Sequence, residues 1–287
     1  MKTYGETIRA LRLSKGFSQK EIYTGIVSKS YAIEFEKGKH DMSISHFMAV
    51  LDRLYLNFQE FSFIHNDYQE PVLSKHMARY ADAANQGNVK ELKRIESELQ
   101  QSKSENEQLI ATLARLTLIT LKHPETPLIT DYPPKDVSLL QDYLMRVDSW
   151  TFHEITLFIN SSGFFDYDVR CQLMQVVTKR IRKYHGFSFY DKVFSSLIVN
   201  FLGDAFIIGD KQQVSLYLEL LGDLTQDITL SFQRDFYLFY TGLENILWGD
   251  ALTGEDCCQE IIAHLNRQGH KHFASNLQQT LTLIMNK

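Results

Sequence analysis

Apolar residues recur at spacings of three and four along nearly the whole chain, the mark of amphipathic helices. Near the start, Ile8 with Leu11, then Ile22, then Ala32 with Phe35, then Ile44, Phe47, Val50, Leu51 and Leu54, then Phe58 with Phe61 predict five short helices in succession. Ser18 and Ser28 precede the second and third, where a serine side chain accepts a bond from a free N–H of the first turn. Gly38 closes the third, where the left-handed conformation costs glycine least. On that third helix Ala32 and Phe35 share a face while Ser30 and Lys37 point away from it. A helix with one apolar stripe for its supports and an opposite polar stripe is what entry into the DNA major groove demands.

Farther along, breakers and apolar spacing place helices at 72–85, 89–101, 104–122, 135–147, 151–160, 168–184, 188–208, 211–223, 229–248, 254–267 and 270–286. The five prolines (Pro71, Pro124, Pro127, Pro133 and Pro134) stand between these segments, and no run alternates with the period of two that a strand requires. The expected fold class is all-α. At 287 residues the chain exceeds a comfortable single core. The stretch from His65 to Pro71 supplies the boundary, giving domains at 1–66 and 67–287.

Three turns in the second domain share a pattern: Gln86-Gly87-Asn88, Ile208-Gly209-Asp210 and Trp248-Gly249-Asp250. The last two glycines are 40 residues apart and the first lies 122 before the second, close to three such periods. A helix-Gly-polar-helix unit at this spacing predicts a tetratricopeptide (TPR)-like α-solenoid, longer than its usual period of about 34. Stacked units bury what one unit cannot and leave a concave face. An irregular all-helical domain is the alternative.

Charge adds a direction. Residues 1–40 hold eight Lys or Arg against four Glu, a net of +4, inside a chain of net −5. That asymmetry suits a head that meets phosphates. Lys29, Ser30, Ile33 and Glu34 are the candidate base-reading residues: Glu34 offers an acceptor to a cytosine amino group and Ile33 an apolar contact to a thymine methyl. Arg12, Gln19, Lys37 and Lys39 are assigned to phosphates, Gln19 because it opens the second helix at its positive end.

In the second domain Phe158, Phe194, Phe201, Phe206, Phe232, Phe236, Tyr237, Phe239 and Tyr240 are expected mainly as core. Asn160, Arg170, Asn200, Asp204 and Asn245 interrupt those apolar runs and need partners. An extended peptide is one partner and an interhelical hydrogen bond the other. Asn160, Asn200, Tyr237 and Tyr240 are the candidate peptide contacts, with Arg170 for a terminal carboxylate.

Other chemistry finds little support. His264, His270 and His272 near Cys257 and Cys258 match no tetrahedral zinc template, and no phosphate-cradling glycine loop or nucleophile elbow is present. No catalytic residue, metal or cofactor is expected. Cys171, Cys257 and Cys258 are too few for a disulfide framework and read as reduced structural thiols. With no apolar core for a signal peptide and no run near the ~20 residues of a membrane helix, a cytoplasmic protein without membrane contact is expected.

Residues 5–61 resemble the helix-turn-helix of the xenobiotic-response-element (XRE) class shared with phage repressors of the lambda type. Over the whole length, the segment from Ser28 through Gly38, Leu51-Asp52-Arg53-Leu54, Glu60-Phe61, Asp142-Tyr143-Leu144, Trp150, His153-Glu154-Ile155 and Asn160 to Phe165 resemble the Rgg/MutR regulators of low-GC Gram-positive bacteria. These form a branch of the RRNPP peptide-sensing superfamily. The resemblance implies a homodimeric transcription regulator, with its main interface around Phe236 to Leu283, that binds promoter DNA, contacts RNA polymerase and takes a short hydrophobic peptide pheromone in quorum sensing. Ile33 and Glu34 stand where the family commonly has a small polar residue and an arginine. Gly163 stands where a relative has an arginine thought to meet the peptide. Two further readings remain open: a helix-turn-helix regulator without a peptide, and a TPR-like scaffold for protein partners.

Overall fold

A computed structural model describes residues 2–69, 72–122, 131–184 and 190–287. Among them every regular element is helical. The backbone forms two compact units, 1–110 and 111–287.

The first unit opens with five helices, α1 (Tyr4–Ser14), α2 (Gln19–Tyr23), α3 (Lys29–Glu36), α4 (Ile44–Arg53) and α5 (Phe58–His65). Each starts on a side chain that accepts a first-turn N–H: Thr3, Ser18, Ser28, Ser43 and Asn57. At Thr3 and Ser18 the glutamate three residues on returns the bond, completing a capping box. Such caps let an α2 of only five residues persist, which propensity alone does not allow. Ile8, Ile22, Ala32, Phe35, Val50, Leu51 and Phe61 close over one core, as their spacing predicts. Next come α6 (Val72–Asn85) and α7 (Val89–Leu99), packed on each other in the same unit. The boundary expected at 66 therefore marks the end of the five helices, while the compact unit runs on. Pro71, Pro124 and Pro127 lie outside the described residues.

The unit division falls within α8 (Glu105–Thr120). The second unit continues with α9 (Pro134–Arg146), α10 (Phe152–Ser161), α11 (Tyr167–Tyr184), α12 (Tyr190–Ile208), α13 (Lys211–Leu224), α14 (Ser231–Trp248), α15 (Ala251–Arg267) and α16 (Lys271–Met285). These match the expected spans closely, although the expected start of α12 at 188 lies outside the described residues.

The recurring turn is real but one member differs. Gly87 and Gly209 are left-handed, at φ 61° and 86°, and the N–H after each reaches back five residues, Asn88 to the Ala83 carbonyl and Asp210 to that of Ala205. Asn88 and Asp210 then cap the next helix. Gly249, at φ −140°, is not left-handed. The third turn of this kind is at Gly269, φ 88°, where the His270 N–H bonds the Leu265 carbonyl. Without a left-handed residue the α14 to α15 corner closes differently, through direct backbone approach. A Cβ on Gly242 would lie 2.7 Å from Cys258 Sγ and 2.9 Å from the Gly254 oxygen, and one on Gly254 would lie 2.5 Å from the Gly242 oxygen.

At the centre of this unit, α12 packs against α10, α11, α13, α14 and α16. Phe194, Phe201, Phe206 and seven further residues of α12 are buried. What remains accessible falls largely on one strip, Lys192, Ser196, Asn200, Asp204 and Ile208, each four residues from the last.

Candidate functional site

The outward side of the α2–α3 angle is polar and cationic. Ala32, Phe35 and Glu36 bury one face of α3, leaving Lys29 and Ser30 exposed and Ile33 and Glu34 half-buried. Beneath that face lies a buried polar knot. Glu36, 2% exposed, accepts from Arg12 Nε at 2.7 Å and the second Arg12 terminal nitrogen at 2.8 Å, from Gln19 at 2.8 Å and from Tyr23 Oη at 3.0 Å. Burial pushes the Glu36 carboxyl up, but the bonds from Arg12, Gln19 and Tyr23 outweigh it and hold the group below its usual range.

This knot corrects the assignment of Arg12. At 6% exposure, with its guanidinium committed to Glu36 and to the Phe17 carbonyl, Arg12 is a clamp joining α1 to α3 and is closed to phosphate. Sequence gave its charge and not its partner 24 residues away. Gln19 keeps its place at the first turn of α2, partly exposed, with its amide nitrogen donated to Glu36.

Glu34 also has company. Its carboxylate lies 3.2 Å from Lys37 Nζ and 2.5 Å from Lys39 Nζ, and Lys39 first, then Lys37, hold it below the usual carboxylate range. The candidate base reader and two candidate phosphate contacts thus form one exposed cluster of net charge +1. Lys29 and Lys20, by contrast, are exposed and make no ion pair among the described residues. Between α2 and α3 opens a cleft of about 210 Å³, whose lining includes Gln19, Lys20, Tyr23, Val27, Lys29 and Ala32.

In the second unit the five candidate peptide contacts separate. Asn200 is exposed on the α12 strip. Asn160 is half-buried and donates its amide to the Thr156 carbonyl of its own helix at 2.8 Å. Tyr237 is half-buried, with the Arg234 guanidinium 4.2 Å from its ring centre. Two assignments are corrected. Tyr240, 5% exposed, is core, stacked on Phe206 and donating its hydroxyl to the Val199 carbonyl at 2.9 Å. Arg170, 5% exposed, already holds a carboxylate: it pairs with Asp204, 34 residues on, and lies over the Tyr167 ring. Its Nε has no partner, and burial keeps the Asp204 carboxyl above its usual range despite Arg170. Sequence reasoning paired neither, because interhelical partners 34 and 41 positions apart leave no periodic trace.

Gly163 is exposed, and a side chain there would meet open space, so the residue removes a contact without relieving any crowding. Cys258 is buried, its thiol pushed up to about 12 chiefly by burial. Cys257 and Cys258 both donate to carbonyls of α14. Such thiols are poor nucleophiles and poor metal ligands. Among the described residues no helix is long and apolar enough to cross a membrane.

Comparison with known proteins fits this arrangement. The fold is similar to that of a candidate transcriptional regulator of Listeria monocytogenes EGD-e, at 26% identity and TM-score 0.86 over 99% of this chain and 97% of that one. It is similar as well to the SHP pheromone receptor Rgg2 of Streptococcus dysgalactiae, at 20% identity and TM-score 0.80 over 98% and 99%. The PrgX/cCF10 complex gives 16% identity and TM-score 0.72 over 98% and 99%. A family model for the C-terminal domain of the HTH-type transcriptional regulator Rgg matches residues 92–279. With that match covering well over half its length, the chain belongs to the Rgg family of transcriptional regulators.

Proposed function

We propose that this protein is a homodimeric, sequence-specific DNA-binding regulator whose helical repeats answer to a short peptide pheromone in quorum sensing. The observation that carries the DNA half is the outward face of α2 and α3, where Lys20 and Lys29, in no ion pair among the described residues, stand beside Ser30 and Ile33 above a rigid buried clamp. Residues 1–66 serve as the DNA-binding head and 67–287 as the peptide-binding and dimerising part. Lys29, Ser30 and Ile33 read bases. Gln19, Lys37 and Lys39 hold phosphates, and Glu34 sets where the two lysines lie. Two heads with recognition helices about 34 Å apart read a two-fold operator, and one head alone buries too little for tight specific binding. The resulting assembly contacts RNA polymerase at the promoter, in the cytoplasm.

The peptide half rests on α12. A helix packed by five others that keeps one largely polar strip uncovered offers an extended ligand the Asn200 side-chain amide on a rigid floor. Asn200 is the principal contact, with Asn160 and Tyr237 at lower exposure. The Rgg2 and PrgX structures, described as a pheromone receptor and a complex with cCF10, support a peptide as the class of ligand.

The test has two parts. Full-length protein is offered a pool of random duplexes, and enrichment of a two-fold motif is the expected outcome; no enrichment would leave a protein-binding scaffold. Synthetic peptides encoded by short reading frames beside the gene are then titrated calorimetrically into wild type and Asn200→Ala. A loss of about 1–3 kcal/mol for the variant, with DNA affinity intact, is expected for an amide that loses its partner. Equal affinities would remove Asn200 from the site, and no heat from any of these peptides would favour a regulator without one.

A further inference from the structure

The cleft between α2 and α3 is more than a gap in the DNA-facing surface. Its floor is largely apolar, made by Ala32 (1% exposed), the buried Tyr23 ring and the half-buried Val27, and the exposed Thr24 that completes the lining donates its hydroxyl to the Lys20 carbonyl. Tyr23 Oη is turned inward to Glu36 and Gln19 Nε2 likewise, so neither offers that donor to an occupant. Its rim carries the Lys20 and Lys29 ammonium groups, one from each helix and neither in an ion pair among the described residues. An occupant must therefore be small and apolar where it enters and anionic beside the opening.

Duplex DNA presents one group of this description. The thymine 5-methyl is the only apolar substituent on the major-groove edges, and the sugar-phosphate strand of its own nucleotide runs alongside. We infer that the α2–α3 cleft is a thymine-methyl pocket, Val27 and Ala32 receiving the methyl while Lys20 holds a flanking phosphate and Lys29 donates to an acceptor on the adjoining base edge. The inference rests on the DNA-binding reading above and adds a base preference that no hydrogen bond supplies. It also moves thymine recognition from Ile33, on the outer stripe of α3, to the side of α3 facing α2.

The probe is the duplex enriched by full-length wild-type protein, resynthesised with deoxyuridine replacing each thymine in turn, so that only a methyl is removed. One position in each half-site is expected to weaken binding about four-fold, which is the roughly 0.8 kcal/mol of one buried methyl converted at about 1.4 kcal/mol per decade. Val27→Thr, which keeps the shape and adds a hydroxyl, should bring that ratio close to one, whereas Ile33→Ala, which removes a different base contact, should weaken binding to the thymine and deoxyuridine duplexes alike and so leave the ratio in place. A helical circular dichroism spectrum like that of wild type qualifies each variant. If Val27→Thr does not fold, the deoxyuridine scan of wild type and Ile33→Ala still decides. An enriched duplex indifferent to every deoxyuridine overturns the inference while sparing DNA binding. Sensitivity lost in Ile33→Ala but kept in Val27→Thr also overturns it. Failure to enrich any duplex overturns the DNA-binding reading and this inference with it.

Discussion

Replacing Glu36 with glutamine removes one negative charge from the knot that ties α1, α2 and α3 together and changes almost nothing in shape. In the native head that carboxylate takes four bonds at 2.7 to 3.0 Å, two of them from a guanidinium, in a site 2% exposed. Glutamine leaves the Arg12 charge without a counter-charge and, whichever way its amide is turned, points an NH2 at an Arg12 nitrogen that can only donate. Breaking one side of a buried pair costs about 3–5 kcal/mol. Stability for a head of this size is about 3–10 kcal/mol at the usual 0.05–0.15 kcal/mol per residue. The variant head should thus be close to unfolding at room temperature while the repeats stay folded. Hydrogen exchange of the full-length protein resolves this: amides of α1 to α5 should lose protection by about that amount and those of α12 to α16 by none. The double variant Arg12→Met/Glu36→Gln, in which no charge is stranded, should recover part of the loss. The sign with pH follows from the depressed carboxyl. Its contribution is present above the usual glutamate value of 4.5 and is lost as pH falls through the lower value of the folded state. Wild type and Glu36→Gln should accordingly converge in acid. A loss below about 1 kcal/mol at neutral pH, or a double variant no better than the single, would refute the clamp and return Arg12 to the phosphates.

Two other outcomes are expected. Glu34→Gln should release Lys37 and Lys39 and steepen the dependence of DNA affinity on salt by about one unit of log-log slope, whereas Lys39→Ala should flatten it by about one; a changed base preference with unchanged slope would make Glu34 a base reader instead. Gly242→Ala forces a methyl against Cys258 and the α15 backbone and should cost about 1–3 kcal/mol in urea unfolding of the full chain, and a change under about 0.5 kcal/mol would show that α14 and α15 can part freely.

The helices were nearly all legible, because amphipathic spacing and caps are local properties of the chain. The largest boundary difference is instructive: α15 begins at Ala251 and not 254, since Asp250 accepts the Leu252 N–H and starts the helix at once. Gly254 looked like a place to begin. It is instead a mid-helix residue chosen for the closeness of α14, which sequence does not display. The same divide runs through the site. Outward position on α3 followed from Ala32 and Phe35, so Lys29, Ser30 and Ile33 lie at the accessible side as expected. Arg12, Arg170 and Tyr240 did not follow, because each is engaged by a residue 24 to 41 positions away that no local rule connects.

The glycine seam of α14 and α15 has a mechanical meaning. Most helix pairs meet through a layer of side chains whose rotamers can change, and that layer lets one helix slide over another. Here carbonyl oxygens of each backbone lie where the other would carry a Cβ, so no such lubricating layer exists. The pair behaves as a single stiff lever. A displacement delivered to α14 through α12 is therefore carried on to α15 at this crossing, and compliance must come from contacts that side chains make, such as the Phe206 and Tyr240 rings stacked between α12 and α14.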